Sequence, residues 1–201
     1  MKDIDITKER YKIAKKQFKT IKQECESKVE SWFWASFALY SIEPYHFEKN
    51  HKHFPKGKIL KKEPANKKNK WLYGVDKNGE IVVERQYTSL DFENSFYETF
   101  YCRNTDFIEV FQFDYDNRHL VDLKQYWLDN GQVVKEQTYD DEKVWCVEIY
   151  VYNEEKPVKS FRKHMFSPPN GLIESTFEYE YEESEILNRI YWDGKICYEK
   201  K

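Results

Sequence analysis

Glycine and proline are scarce here, six of each in 201 residues, and there are only four cysteines and two methionines. None of the patterns G-x-x-x-x-G-K-[ST], G-x-G-x-x-G, G-x-S-x-G or H-E-x-x-H occurs. The mechanisms those patterns carry, from phosphate cradling to zinc proteolysis, therefore have no signature in this chain. Cys25, Cys102, Cys146 and Cys197 show no close pairing such as C-x-x-C. Long apolar runs are missing too. The longest, Trp32 to Tyr40, is too short to cross a bilayer, and the charged Met1–Arg10 segment has no signal-peptide core. Together these absences favour reduced thiols and a cytoplasmic protein, with no membrane partner.

Aromatic and charged residues are abundant, at 18% and 34%, and tyrosine leads with 16. Disordered chains are poor in aromatics, so a folded core is expected, and the length suits one domain. Tyrosine is favoured where a side chain has one dry end and one wet end, as at interfaces. The net charge of −3 hides an asymmetry. Residues 1–70 hold 18 Lys/Arg against 9 Asp/Glu, a balance of +9, and the remaining 15 and 27 leave residues 71–201 at −12. Such polarity points to charged partners, or to attraction between the two parts.

The organising feature is a period. Tyr115, Trp127, Tyr139, Tyr152 and Met165 recur every twelve or thirteen positions, each followed by turn-formers and then an aliphatic residue. Asp129-Asn130-Gly131 before Val133 and Trp192-Asp193-Gly194 before Ile196 are examples. Turn signals at this spacing between β-rich runs indicate short antiparallel strands joined by hairpins.

Upstream, Tyr11, Ala14, Phe18, Ile21, Cys25, Trp32, Ala35 and Leu39 keep a 3–4 spacing. That stripe predicts one long amphipathic helix over 7–41, N-capped by Thr7 and stopped by Pro44. Residues 49–70 hold nine lysines and one acid, Glu63, and read as a solvated loop. The boundaries expected are thus 1–48 helical, 49–70 lysine-rich, and 71–201 β-meander. Asn78-Gly79 marks a hairpin, Ser89 to Ser95 a longer loop, and Phe96–Cys102 and Phe107–Tyr115 two strands. In the second strand Glu109 shares a face with Phe107, Phe111, Phe113 and Tyr115. Apolar residues on both faces imply cover on both sides or a face kept for a partner. The fold class expected is α+β, a long N-terminal helix on an antiparallel meander of about eight to ten strands.

Phe177-Glu178-Tyr179-Glu180-Tyr181-Glu182 alternates strictly, which puts aromatics on one face and acids on the other. It reads either as a half-buried strand or as an acidic strip for a basic partner. His46, His51 and His53 cluster beside lysines whose charge opposes a cation, so no metal or cofactor is expected. His119 or His164 could serve as a general base only with a nucleophile in reach. No catalytic residue, and no enzyme, is assigned.

Tyr115-Asp116-Asn117-Arg118-His119-Leu120 resembles a degenerate tyrosine–aspartate repeat, Y-D-x-x-G-R-L, lacking its Gly-Arg pair. Trp127–Val133 and Tyr139–Glu142 resemble it more loosely, and the unit is similar to membrane-occupation-type hairpin repeats. Small cytosolic proteins with such aromatic meanders are similar to the immunity proteins of bacterial polymorphic toxin systems. That resemblance implies stoichiometric occlusion of a cognate toxin domain, without chemistry. A nuclease toxin would offer a basic surface to the acidic sheet region. The partner-binding residues expected are Tyr126, Trp127, Glu148, Tyr150, Glu178, Glu180 and Glu182. The alternatives are nucleic-acid binding through the Lys49–Lys70 arm, which the lack of arginine there disfavours, and an uncharacterised enzyme.

Overall fold

A computed structural model describes residues 2–50, 55–88, 95–166 and 171–200. Most of the expected Ser89–Ser95 loop, the Pro168-Pro169-Asn170 turn, His51 and His53 lie outside the described residues. The order of elements is α1 (Lys2–Ala14), α2 (Phe18–Glu26), β1 (Ser31–Ala35), α3 (His46–Lys49), β2 (Trp71–Val75), β3 (Ile81–Tyr87) and β4 (Phe96–Arg103). There follow β5 (Phe107–Asp114), β6 (His119–Asp129), β7 (Gln132–Asp140), β8 (Trp145–Asn153), β9 (Lys156–Met165), β10 (Leu172–Tyr181), β11 (Leu187–Trp192) and β12 (Lys195–Glu199). All twelve strands form one sheet in sequence order, every neighbour antiparallel.

The hairpin period is the backbone of this topology. Left-handed backbone sits in its turns at Gly79, Arg118, Asn130-Gly131, Lys143, Glu154, Gly171, Glu185 and Asp193-Gly194. Paired positive φ values at Asn130 and Gly131, and at Asp193 and Gly194, match the right-handed twist of the strands they join. Register shifts interrupt several ladders, for example between Trp127 and Leu128 and between Val151 and Tyr152. Such irregularities bend strands and raise local twist.

The expectation for residues 7–41 is corrected. In place of one helix there are two, broken at residues 15–17, followed by a strand where the stripe was to continue. Thr7 is not a cap but a buried residue inside α1, its hydroxyl 2.7 Å from the side-chain oxygens of Gln125 and Gln137. The break follows from what each helix covers: α1 lies on β6 and β7, α2 on β3 and β4. A straight rod would not follow a sheet that twists between those strands. Trp32-Phe33-Trp34 favours strand because bulky aromatics fit a pleated surface. There Phe33 stacks on Tyr73 at 5.3 Å, and β1 adds to the edge of β2. Among the described residues the strand count is accordingly twelve rather than eight to ten.

Both faces of the sheet are covered in part from the N-terminal third. On the first, Tyr11, Ala14, Phe18, Ile21 and Cys25 of the helices pack on Phe100, Phe111, Phe113, Leu120, Leu123 and Tyr139. Glu109, which shares that face, receives two hydrogen bonds from Arg10 at 2.9 and 3.0 Å. On the second face the connection between β1 and α3 lies across the strands as a strap. Tyr40 meets Tyr101, and Tyr45 meets Tyr179 and Tyr181. Leu39 N–H donates to the Tyr73 hydroxyl at 2.9 Å. Phe111 is wholly buried under the helices. Phe111→Ala should therefore cost about 3–5 kcal/mol of unfolding free energy, with the same sheet in circular dichroism, measured by urea titration.

Candidate functional site

Two regions have the character of a site: a polar chamber beneath the strap, and a part of the other sheet face that no described helix covers. The chamber is built by strand alternation. Because side chains alternate across a strand, Glu84, Tyr101, Val110, Lys124, Tyr126, Glu136, Glu148 and Arg162 point to the strap side. A cavity of about 180 Å³ lies there between Tyr40, Ile42 and His46 above and Glu84, Asp122 and Lys124 below.

The strap is held by ions. Lys49 Nζ lies 3.1 Å from Glu43 Oε1 and 2.8 Å from Glu148 Oε1, with its side chain only 3% exposed. Arg162 donates to Glu43 at 2.9 Å and to Glu148 at 2.7 Å. His46 Nδ1 is 2.9 Å from the other Glu43 oxygen, and Ser160 donates to Glu148 at 2.6 Å. The Lys49 ammonium also lies 4.9 Å from the centre of the Phe177 ring and 5.1 Å from that of Tyr150. Burial pushes the Glu43 carboxyl up, but Lys49, His46 and Arg162 outweigh it and hold it well below the usual range. Burial likewise disfavours the Lys49 ammonium, yet Glu43 and Glu148 keep it firmly charged.

Glu136 has no such company. Its Oε2 has no hydrogen-bond partner among the described residues, and burial, reinforced by the charge of Glu43, pushes it up to about 7. Glu84 is also pushed up to about 7 by burial, against a 3.0 Å hydrogen bond from Tyr101 that favours ionisation. One oxygen each of Glu43, Glu136 and Glu148 could meet a cation, all within 4.8 Å of one another. Lys49 and Arg162 already neutralise Glu43 and Glu148, however, so a metal ion would have to displace two fixed cations.

The expected contact residues are divided by this arrangement. Tyr126, Glu148 and Tyr150 are buried under the strap and offer no surface as the protein stands. Trp127 lies on the opposite face, against Phe107 and beneath Lys135. The acidic strip is exposed in part but compensated. Glu178 pairs with Lys159, Glu180 accepts from Tyr191 and Asn188, and Glu182 pairs with Lys200. Lys49, expected in a solvated loop, is instead the centre of the buried network. Lys56, Lys67 and Lys70 lie over the rings of Phe47, Trp34 and Phe37. His119 meets Asp141 at 2.7 Å on the surface, and His164 faces the Phe166 ring at 3.8 Å. Neither lines the chamber. Sequence reasoning missed Glu43 and Lys49 as partners of Glu148 and Arg162. No local pattern marks them, since the nearer of these contacts in sequence spans 99 residues.

The uncovered region begins where the helices stop. Beyond β7 on the helix side, Ile149 is 48% exposed, Val151 43% and Phe161 46%. Ile149 and Phe161 are directly opposite across β8 and β9, and Val151 is opposite Lys159. Lysine–glutamate pairs, Lys159–Glu178 and Lys163–Glu174, border them. Compared with protein-family models and with curated proteins, the chain matches none.

Two outcomes follow from the ion network. Lys49→Met leaves Glu43 and Glu148 short of a cation in a buried site and should cost about 3–5 kcal/mol in a denaturation experiment. The second concerns pH. Glu136 has a folded pKa above its unfolded value of 4.5, so its stabilising contribution is complete below 4.5 and is lost as pH rises through about 7. Glu136→Gln removes that loss. The variant should gain on the native protein between pH 5 and 8, by about 1–3 kcal/mol, when both are unfolded in urea across that range.

Proposed function

We propose that this protein is an immunity-type inhibitor, which occupies a cognate toxin domain one-to-one and blocks it without catalysis. The observation that supports this most is the apolar patch of Ile149, Val151 and Phe161, left open where the helical layer ends. Contiguous exposed apolar groups rimmed by charges are the usual anatomy of a protein-binding surface. Aromatic and aliphatic anchors of this kind carry most of the energy of an interface, and a charged rim sets its register.

The −12 balance of residues 71–201 supports the same reading close to that part of the surface, where a locally negative field favours a basic partner, while the +9 of residues 1–70 brings the whole chain to −3. Glu178, Glu180 and Glu182 act in that reading as part of the field and the rim, since each already has a cationic or hydroxyl partner. If the toxin is a nuclease, its phosphate-binding surface is the basic complement.

The test is protection. Cells expressing the toxin domain encoded beside this chain should survive when the chain is co-expressed, and the two purified proteins should elute as a one-to-one complex. Phe161→Asp or Ile149→Asp should each weaken that complex roughly 30-fold or more, a loss of about 2 kcal/mol, while melting like the native protein. Unimpaired protection by the double variant would remove the patch from the interface, and absence of protection by the native chain would overturn the function itself.

A further inference from the structure

Cys25 and Cys102 are 77 positions apart in the chain, yet their sulfur atoms lie 3.5 Å from each other. Cys25 is in the last turns of α2 and fully buried; Cys102 is near the end of β4 and half-buried. Side-chain contacts hold both sulfurs in the core packed between α2 and the sheet, beside Val29. We propose that these two residues form a peroxide-reactive dithiol, Cys102 attacking and Cys25 resolving, whose disulfide ties α2 to the sheet.

The roles differ because the environments differ. The hydrogen bond between the thiols acts in opposite senses on the two groups, raising Cys25 and lowering Cys102; burial raises both, adding to the rise at Cys25 and only partly offsetting the fall at Cys102. Lys28, about one turn beyond Cys25, adds a favourable positive charge, while Glu24 and Glu109 oppose it. Thiolates are the nucleophiles in such chemistry, and partly exposed thiols of lowered pKa are the ones that react. Cys146, by contrast, is pushed up to about 12 by burial and is a poor competitor.

The chemistry balances with a hydroperoxide as oxidant. The Cys102 thiolate attacks one peroxide oxygen, the O–O bond breaks, and a sulfenic acid forms while the other oxygen leaves as water after protonation. The Cys25 sulfur then attacks the Cys102 sulfur. The S–O bond breaks, the hydroxyl leaves as water with the Cys25 proton, and the S–S bond forms. Two thiols lose two electrons and one peroxide becomes two waters. Reaching the disulfide length of about 2.05 Å requires the sulfurs to close by about 1.5 Å. A reducing cytosol would keep the pair as thiols at rest, so the bond would form only under oxidant exposure.

The experiment uses the intact protein treated with hydrogen peroxide at neutral pH, then alkylated with iodoacetamide and analysed by mass spectrometry. The expected result is a loss of about 2 Da before alkylation, two thiols left for iodoacetamide in place of four, a single linked peptide joining Cys25 to Cys102, and full reversal by dithiothreitol. The oxidised form should also melt several degrees higher, because the cross-link encloses a long loop in the unfolded chain. In Cys25→Ser the reaction should stop at a Cys102 sulfenic acid that dimedone captures; in Cys102→Ser no dimedone adduct should appear at Cys25. Four thiols still alkylated after peroxide, a linkage through Cys146 or Cys197, or equal oxidation of Cys25 in the absence of Cys102 would each overturn the proposal. The native cross-link map decides the matter alone should a serine variant not fold.

Discussion

An open sheet of twelve strands exposes two faces, and each must be covered or the molecule is a ribbon of unsatisfied apolar surface. Only the segments outside the meander can do this, and residues up to about 50 do it twice. The helices lie on one face, and a strap of irregular chain crosses the other. Helices cover by apolar contact. The strap packs Tyr40, Ile42 and Tyr45 on the sheet and is held in addition by Lys49 between Glu43 and Glu148, with Arg162 completing the square. An ammonium taken out of water is stable only with anions at contact distance, and here two carboxylates and three aromatic faces surround it. Lys49 on this face, and Arg10 with Glu109 and Lys22 with Glu98 on the other, join the basic N-terminal part to the acidic sheet, giving the +9 and −12 asymmetry a structural role.

The cover is unequal. The helical layer is spent by β7, so β8 and β9 keep Ile149, Val151 and Phe161 open, whereas the strap reaches as far as β10 on the other side. The functional reading grows from this imbalance. The sheet carries more apolar side chains than its own covers bury, and the remainder stays at the surface. The chamber under the strap has the opposite character, with half-compensated carboxylates such as Glu136 enclosed in the protein. Its charges orient the strap, and their cost is offset by the ion pairs beside them.

Much of the meander could be read from residues alone. Asn130-Gly131 and Asp193-Gly194 announce hairpins because only certain residues take left-handed backbone cheaply, and the structure has left-handed backbone there. The helix stripe from Tyr11 to Cys25 was equally plain, and all five of its residues, Tyr11, Ala14, Phe18, Ile21 and Cys25, are in the core. Its continuation through Trp32 was misleading, since Trp32-Phe33-Trp34 is a short apolar run, and such a run fits a helix or a strand equally. Glu178, Glu180 and Glu182 kept their shared face, but Lys159, Arg189 and Lys200 brought by other strands decide how much charge they show.

By itself the sequence determined the local geometry: strand after strand, turn after turn, and a helix stripe at the start. These are short-range matters, settled by backbone sterics and by side-chain period within a few residues. The tertiary structure alone decided which face each cover took, where the helix broke, that Lys49 was buried, that Cys25 met Cys102, and that the acidic strip was compensated. Those outcomes depend on contacts between different elements, 9 positions apart in one case and 130 in another. Burial and charge pairing are properties of what surrounds a residue in space, and no local pattern encodes them.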